Sequence, residues 1–210
     1  MFITLEGPEG SGKTSQMAPL ADFLRQEGQE VVVTREPGGT SISDQIRAVL
    51  MTMNNTAMNP RTEILLFLAA RAQLVAQVIR PALDAGKIVL CDRYADSTLA
   101  YQGYGHRYDL DQLRSLLQFA TGGLKPDLTL LLDIDIEDGI RRKQAGGSEW
   151  NRMDAYTRSF HNRVRQGYLA LAAAEPERWA IIDASLPTPA VQDALRQALS
   201  QRMIPGEKHT

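Results

Sequence analysis

Eight residues near the amino end carry the clearest chemistry in this chain. Gly7-Pro8-Glu9-Gly10-Ser11-Gly12-Lys13-Thr14 fits the P-loop pattern, in which glycines let backbone N–H groups turn inward around phosphate oxygens. An apolar run, Phe2 to Leu5, precedes it and a helical pattern follows it, which is the context the motif requires. The positive end of the helix then faces the phosphates. Lys13 reaches the β- and γ-phosphates, and the Thr14 hydroxyl is placed to ligate Mg²⁺. The string therefore predicts a nucleoside triphosphate, ATP in the simplest case, without saying which reaction follows.

Other P-loop classes leave marks that are missing. The nearest match to the guanine-reading Asn-Lys-x-Asp is Leu124-Lys125-Pro126-Asp127, which lacks the Asn. No Leu-Ser-Gly-Gly-Gln signature of a transporter ATPase is present, and Pro8 and Glu9 stand where partition ATPases carry an extra lysine. A small-molecule kinase remains. Asp92-Arg93-Tyr94 ends another apolar run, Ile88 to Cys91. Ligands of open parallel sheets bind beyond the carboxyl ends of strands, so Arg93 is expected in the crevice with Lys13. Its planar guanidinium suits an acceptor phosphate, and Asp92 suits Mg²⁺ through water. Between Glu137 and Asp154, Arg141, Arg142, Lys143 and Arg152 surround a Gly146-Gly147 pair. A basic segment with a glycine hinge fits a lid over phosphates, although a solvated basic loop has the same composition.

Positioning these groups requires a sheet. Phe2 to Leu5, Val31 to Thr34, Ile88 to Cys91, Leu128 to Asp133 and Trp179 to Asp183 read as strands apolar on both faces. Helical patterns separate them at about 13–27, 41–52, 61–85, 110–121, 152–174 and 187–202. The alternation predicts an α/β fold, a three-layer sandwich with a five-stranded parallel sheet flanked by helices. No repeat or linker divides the chain, so a single domain is expected over residues 1–210, with a lid at about 137–154. Met51 to Pro60 reads as irregular, and the tail after Pro205 as frayed.

The bulk numbers agree. Apolar residues make up 43% of 210, which is a globular rather than a disordered composition. The formal net charge is −2, too small for a global attraction to nucleic acid or membrane. Cys91 is the single cysteine, so no internal disulfide forms; its place in a strand predicts a buried, inert thiol. Three histidines and one cysteine, widely spaced, make no zinc pattern. No leader is visible at the start, and runs such as Ile64 to Ala70 are too short to span a bilayer. A cytoplasmic enzyme is expected.

Four blocks in order make a resemblance specific. They are the P-loop with Glu9, then Thr34-Arg35-Glu36-Pro37-Gly38-Gly39-Thr40, Leu65-Leu66-Phe67-Leu68-Ala69-Ala70-Arg71, and Asp92-Arg93-Tyr94 with Ser97-Thr98-Leu99-Ala100-Tyr101-Gln102-Gly103. Over about residues 2–185 the chain resembles the thymidylate kinase family, of the nucleoside monophosphate kinase-like P-loop NTPase fold. The resemblance implies transfer of the γ-phosphoryl of ATP to dTMP, with Mg²⁺, in dTTP biosynthesis, and a homodimer. It implies that Phe67 stacks on thymine and that Arg71 donates to thymine O4. The i, i+4 spacing does put these two on one helix face. It also implies that Ser97, Thr98 and Gln102 line the base edge, that Tyr101 crowds the sugar 2′ position, and that Glu9 contacts the sugar and the metal's waters. Pro37 forms a pocket wall held by Arg35, and the catalytic cations are Lys13, Arg93 and a lid arginine, Arg142 or Arg152. Departures lie in the lid: Asn151 replaces an expected acid, and Gly146 to Trp150 has no counterpart in the pattern. Asp154 is expected to reach the acceptor or to orient Arg152. Two alternatives stay open. One is a deoxynucleoside kinase of the same fold with Glu36 as base; the other is a nucleotide-binding switch.

Overall fold

The computed structural model describes residues 1–145 and 151–203. Five parallel strands form one sheet: β1 (Phe2–Glu6), β2 (Val31–Arg35), β3 (Ile88–Asp92), β4 (Leu128–Asp133) and β5 (Trp179–Asp183). Their order is β2-β3-β1-β4-β5. Each matches the expected run to within a residue, because β-branched and leucine-rich segments of this length bury both faces in a parallel sheet. In β1 the alternation sorts side chains cleanly. Ile3 and Leu5 join Leu20 and Leu24 of α1 (Lys13–Gln26) and Leu195 and Leu199 of α9 (Thr188–Met203). Phe2 points to the opposite layer, beside Leu74, Ile79, Val89 and Tyr94.

That second layer contains α2 (Ser41–Met51), α3 (Pro60–Leu74), α4 (Arg80–Asp84), α5 (Ala95–Thr98), α6 (Leu110–Thr121) and α8 (Arg158–Ala174). Two π-helical stretches interrupt it, Val75–Ile79 and Leu99–Gly105. Such bulges recur at functional sites, and the second carries Tyr101 and Gln102.

Two helix boundaries differ from expectation. The helix placed at 152–174 begins at Arg158, since the Thr157 hydroxyl caps it by accepting from Phe160 N at 3.3 Å. The front half of the expected lid is the helix α7 (Ile136–Ala145). The Gly146-Gly147 pair and the tail after Pro205 lie outside the described residues. The helical run Pro60–Asp84 is long and apolar enough to cross a membrane by length and composition, longer than the apolar run read from the sequence. Here it packs in the core, and its charged Glu63 and Arg71 are ion-paired inside the fold.

Candidate active site

The strand order brings the two chemical segments together. β1 pairs with β3 so that Leu5 faces Asp92, and both chains leave the sheet side by side at its carboxyl edge. The P-loop follows β1 and Arg93 follows β3. Between them opens a cleft of about 950 Å³. Its walls include Glu9, Lys13, Thr14, Pro37, Phe67, Arg71, Asp92, Arg93, Ser97, Thr98, Tyr101 and Gln102. Arg142 lines it as well, and Arg152 does not.

At the cradle, α1 starts at Lys13 behind Gly12, which is left-handed at φ 86°, and no side chain caps its first N–H groups. This leaves the helix end to an anion. Lys13 Nζ donates to Gly7 O, Pro8 O and Ser11 Oγ at 2.9–3.1 Å. Burial, together with nearby Arg93, lowers its pKa to about 8. The Thr14 hydroxyl donates to Asp92 Oδ2 at 3.0 Å. Gly10 lies against α7, where a Cβ would meet Gly139 O at 1.9 Å; a Cβ on Gly139 would meet Glu9 O at 2.4 Å. Two bare backbones therefore touch at the foot of α7, which only glycine permits.

Arg93 is the centre of the cleft. Its backbone is left-handed at φ 69°, a strained choice for a non-glycine residue. Nη1 donates to Gly7 O, Ser97 Oγ and Tyr168 OH, and Nη2 to Glu9 Oε1 and Tyr101 OH, all at 2.8–3.3 Å. Behind it sits buried Glu6, which accepts from Tyr94 N, Ser97 Oγ and Tyr168 OH at 2.6–2.8 Å. Burial, with Asp96 nearby, pushes the Glu6 carboxyl up to about 7. Glu9 behaves oppositely. Burial opposes its ionisation, but Arg93, Lys13 and Lys143 around it hold the carboxyl well below its usual range.

Glu6 makes stability depend on pH. A carboxyl whose folded pKa is raised from 4.5 to about 7 binds more protons folded than unfolded across that window. Stability therefore falls as pH rises through it, by roughly 3 kcal/mol for this one group. Melting curves of wild type and Glu6→Gln should differ in slope between pH 5 and 8, the wild type losing more. Parallel curves would remove Glu6 as the cause.

The second half of the cleft is built on α3. Glu63, Phe67 and Arg71 recur every four residues and share a face. Arg71 is 1% exposed and ion-pairs Glu36 at 2.6 Å. It also donates to Thr98 Oγ1 and Tyr94 O, both at 2.9 Å. Burial raises the Glu36 pKa, against the pull of Arg71. Phe67 is half-buried on the cleft wall. Pro37 O, on the cleft wall, accepts from Arg35 and Arg47 at 3.1 and 3.0 Å. Arg35 also pairs with Asp44.

Several placements differ from the sequence reading. Arg152 is buried away from the cleft, paired with Glu63 at 2.6 Å and donating to Leu50 O and Tyr156 OH. Asp154 pairs with Lys143, not with Arg152. Arg142 reaches the carbonyls of Ala184 and Ser185 at 2.5 and 2.7 Å, beside Leu186, Pro187 and Thr188 of the cleft wall. Ser97 is committed to Glu6, Tyr168 and Arg93, and Gln102 donates to Glu63 at 2.7 Å. Cys91 is buried as expected; burial raises its thiol pKa, so it stays protonated.

Glu6, Arg47, Glu63 and Tyr168 were missed around the cleft, and Lys143 was read only as part of the basic segment. Of the four missed, Glu6 alone left a signal in the sequence, an acid ending an apolar strand. Such a group must find partners when buried.

The comparisons with known proteins agree with this arrangement. The family model for thymidylate kinase matches residues 5–195. A thymidylate kinase of Herpetosiphon aurantiacus is 47% identical, covering 97% of this chain and 96% of its own. One of Roseiflexus castenholzii is 54% identical over 88% and 86% of the two chains. Among solved structures, thymidylate kinase from Ehrlichia chaffeensis superposes with a TM-score of 0.77 at 34% identity, covering 95% of this chain and 98% of that one. A family model matched over residues 5–195 and relatives about half identical along most of their length mean that this chain, with its cradle after β1 and its basic centre after β3, belongs to the thymidylate kinase family.

Proposed function

We propose that the chain, acting as one kinase domain over residues 1–210, transfers the γ-phosphoryl of ATP to dTMP, giving dTDP and ADP. Family membership carries the reaction. The observation that supports the residue roles is Arg93, held between the P-loop and the α3 pocket by contacts to both Gly7 and Tyr101. The acceptor is a phosphate already anionic near neutral pH, so no strong base is needed. Catalysis is then positioning and charge neutralisation. Lys13 and Arg93 supply charge, and Glu9 orients Arg93 and meets the sugar. Phe67, Arg71, Thr98 and Gln102 recognise the base, with Ser97 beneath them, and Tyr101 crowds the 2′ position. Pro37, Arg35 and Arg47 close the acceptor-phosphate side. Arg142 borders the adenine, and Arg152 anchors the lid on Glu63.

Thr14 and Asp92 offer a hydroxyl and a carboxylate 3.0 Å apart. Hard oxygen donors in such small number suit Mg²⁺, which takes one or two carboxylates plus substrate phosphates. No group of three or more acidic, His or Cys side chains that could hold a metal gathers among the described residues. When bound, the ion neutralises charge on the β- and γ-phosphates.

Glu36 bears on the alternative of a deoxynucleoside kinase. A general base needs an open lone pair toward the hydroxyl; Glu36 lines the cleft with Oε2 paired to Arg71 and its buried Oε1 without a partner, so the thymidine arm of the test below decides between the two acceptors. The proposed setting is the cytoplasm, as a homodimer with neither nucleic acid nor membrane as partner. Exposed Ile42 and Val49 on α2, Leu65 on α3 and Phe119 on α6 support the dimer, since α3 packs against both other helices.

The test is ADP release with Mg·ATP and a panel of dTMP, dUMP, dCMP, dGMP, AMP and thymidine. Turnover should be fastest with dTMP, and dUMP should be slower by roughly 10–200-fold, the value of one methyl group in a fitted pocket. Equal rates with dUMP and dTMP would contradict a fitted base pocket. Turnover of thymidine alone would move the chemistry to Glu36.

A further inference from the structure

The geometry points to Lys143, rather than Arg142 or Arg152, as the lid residue that meets the transferring phosphoryl. This rests on the dTMP kinase reading above. Of the cations expected in the lid, Arg152 is tied to Glu63, Leu50 and Tyr156 behind the cleft. Arg142 is tied to the carbonyls after β5. Lys143 lines the cleft, as Arg142 does, and there it faces the P-loop carboxylate rather than the β5 loop. Its Nζ lies 3.4 Å from Glu9 Oε2, while Arg93 Nη2 holds Glu9 Oε1 at 2.8 Å. Three cations, Arg93, Lys13 and Lys143, thus act on one P-loop carboxylate.

The helix explains the placement. Gly139 and Lys143 are four residues apart, hence on one face of α7. That face sets Gly139 against Gly10 of the cradle, so Lys143 is aimed along the loop toward the phosphate end. Asp154, buried and held by Asn151 N at 2.8 Å, pairs with the ammonium from the other side and positions it. A lysine suits the task. Its point charge on a flexible stem can follow a phosphoryl group as it moves, whereas Arg93 is fixed by its planar fork.

In the transfer, an oxygen of the dTMP phosphate forms the new bond to Pγ. The bond from Pγ to the bridging oxygen breaks, and its electron pair leaves on ADP. No proton is exchanged, and Lys143 keeps its own throughout. Its ammonium exchanges carboxylate oxygens for the equatorial oxygens of the phosphoryl, where charge develops.

The experiment compares Lys143→Met, Lys143→Arg and Arg152→Met with wild type, each checked for folding by circular dichroism. The readouts are kcat and KM for both substrates, and the affinity of the complex with dTMP, MgADP and aluminium fluoride, which mimics the transferring group. Lys143→Met should lower kcat by roughly 10²-fold with both KM values within about 3-fold, and should weaken the aluminium fluoride complex by a similar factor. Lys143→Arg should recover most of the rate, because the charge remains. Unchanged kcat in Lys143→Met, or a larger loss in a well-folded Arg152→Met, would overturn the inference while leaving the dTMP reading intact. A wild-type protein inactive on dTMP would sink both.

Discussion

Replacing Arg93 by methionine is expected to lower kcat for dTMP phosphorylation by roughly 10³-fold or more, the scale on which an arginine acts in related phosphoryl transfers. The size follows from how the side chain is held. Five oxygens accept from it at 2.8–3.3 Å, and the Tyr101 ring lies 5.1 Å from its guanidinium carbon. Such a group costs no reorganisation when charge develops. Arg93→Lys should recover little, because one ammonium cannot satisfy both the Gly7–Tyr168 side and the Glu9–Tyr101 side. Steady-state rates at saturating substrates, with melting curves to exclude unfolding, measure this. A methionine variant within tenfold of wild type would show that Arg93 is structural.

The second large effect concerns stability. Arg71→Met leaves Glu36 buried and unpaired, and breaking such a pair from one side costs about 3–5 kcal/mol. For a chain of this size that is roughly a 6–20 °C fall in Tm. The double variant Arg71→Met/Glu36→Met should regain much of the loss, because removing both charges removes the uncompensated one. The same double variant should still bind dTMP poorly, since no guanidinium remains for the base. Thermal melts and dTMP binding separate the two effects. Additive losses in the double variant would mean that the pair is not coupled.

The sheet was legible because its signal is local. Five short apolar runs fix strands to within a residue, and a glycine string beside one of them fixes the phosphate end. What escaped was non-local. Glu6 meets Tyr168 across 162 positions and Glu63 meets Arg152 across 89, so nothing near either residue announces the pairing. Helix α7 was hidden by its own Gly139, which weakens a helical pattern by about 1 kcal/mol relative to alanine and is kept for its contact with the cradle. The stretch from Ala95 to Gly105 was hidden because a π-bulge follows neither the helical nor the strand period. Arg152 was misplaced for a simpler reason. Charge in a lid suggests phosphate, and sequence alone does not reveal the buried acid that claims it.

The contact of Gly10 with Gly139 has a mechanical meaning. Helix α7 rises about 1.5 Å per residue, so Lys143 stands about 6 Å along the axis from the point where the helix touches the loop. The helix is then a short lever with its fulcrum on the phosphate cradle. A tilt of ~10° about that fulcrum carries residue 143 through about 1 Å, the distance over which a misplaced group can lose about 10²-fold in rate. A long hinge swinging from outside the site would turn the same angle into several ångströms. In the proposed kinase, mounting the lever on the phosphate-binding loop would make the lid a fine adjustment, geared to the phosphates themselves.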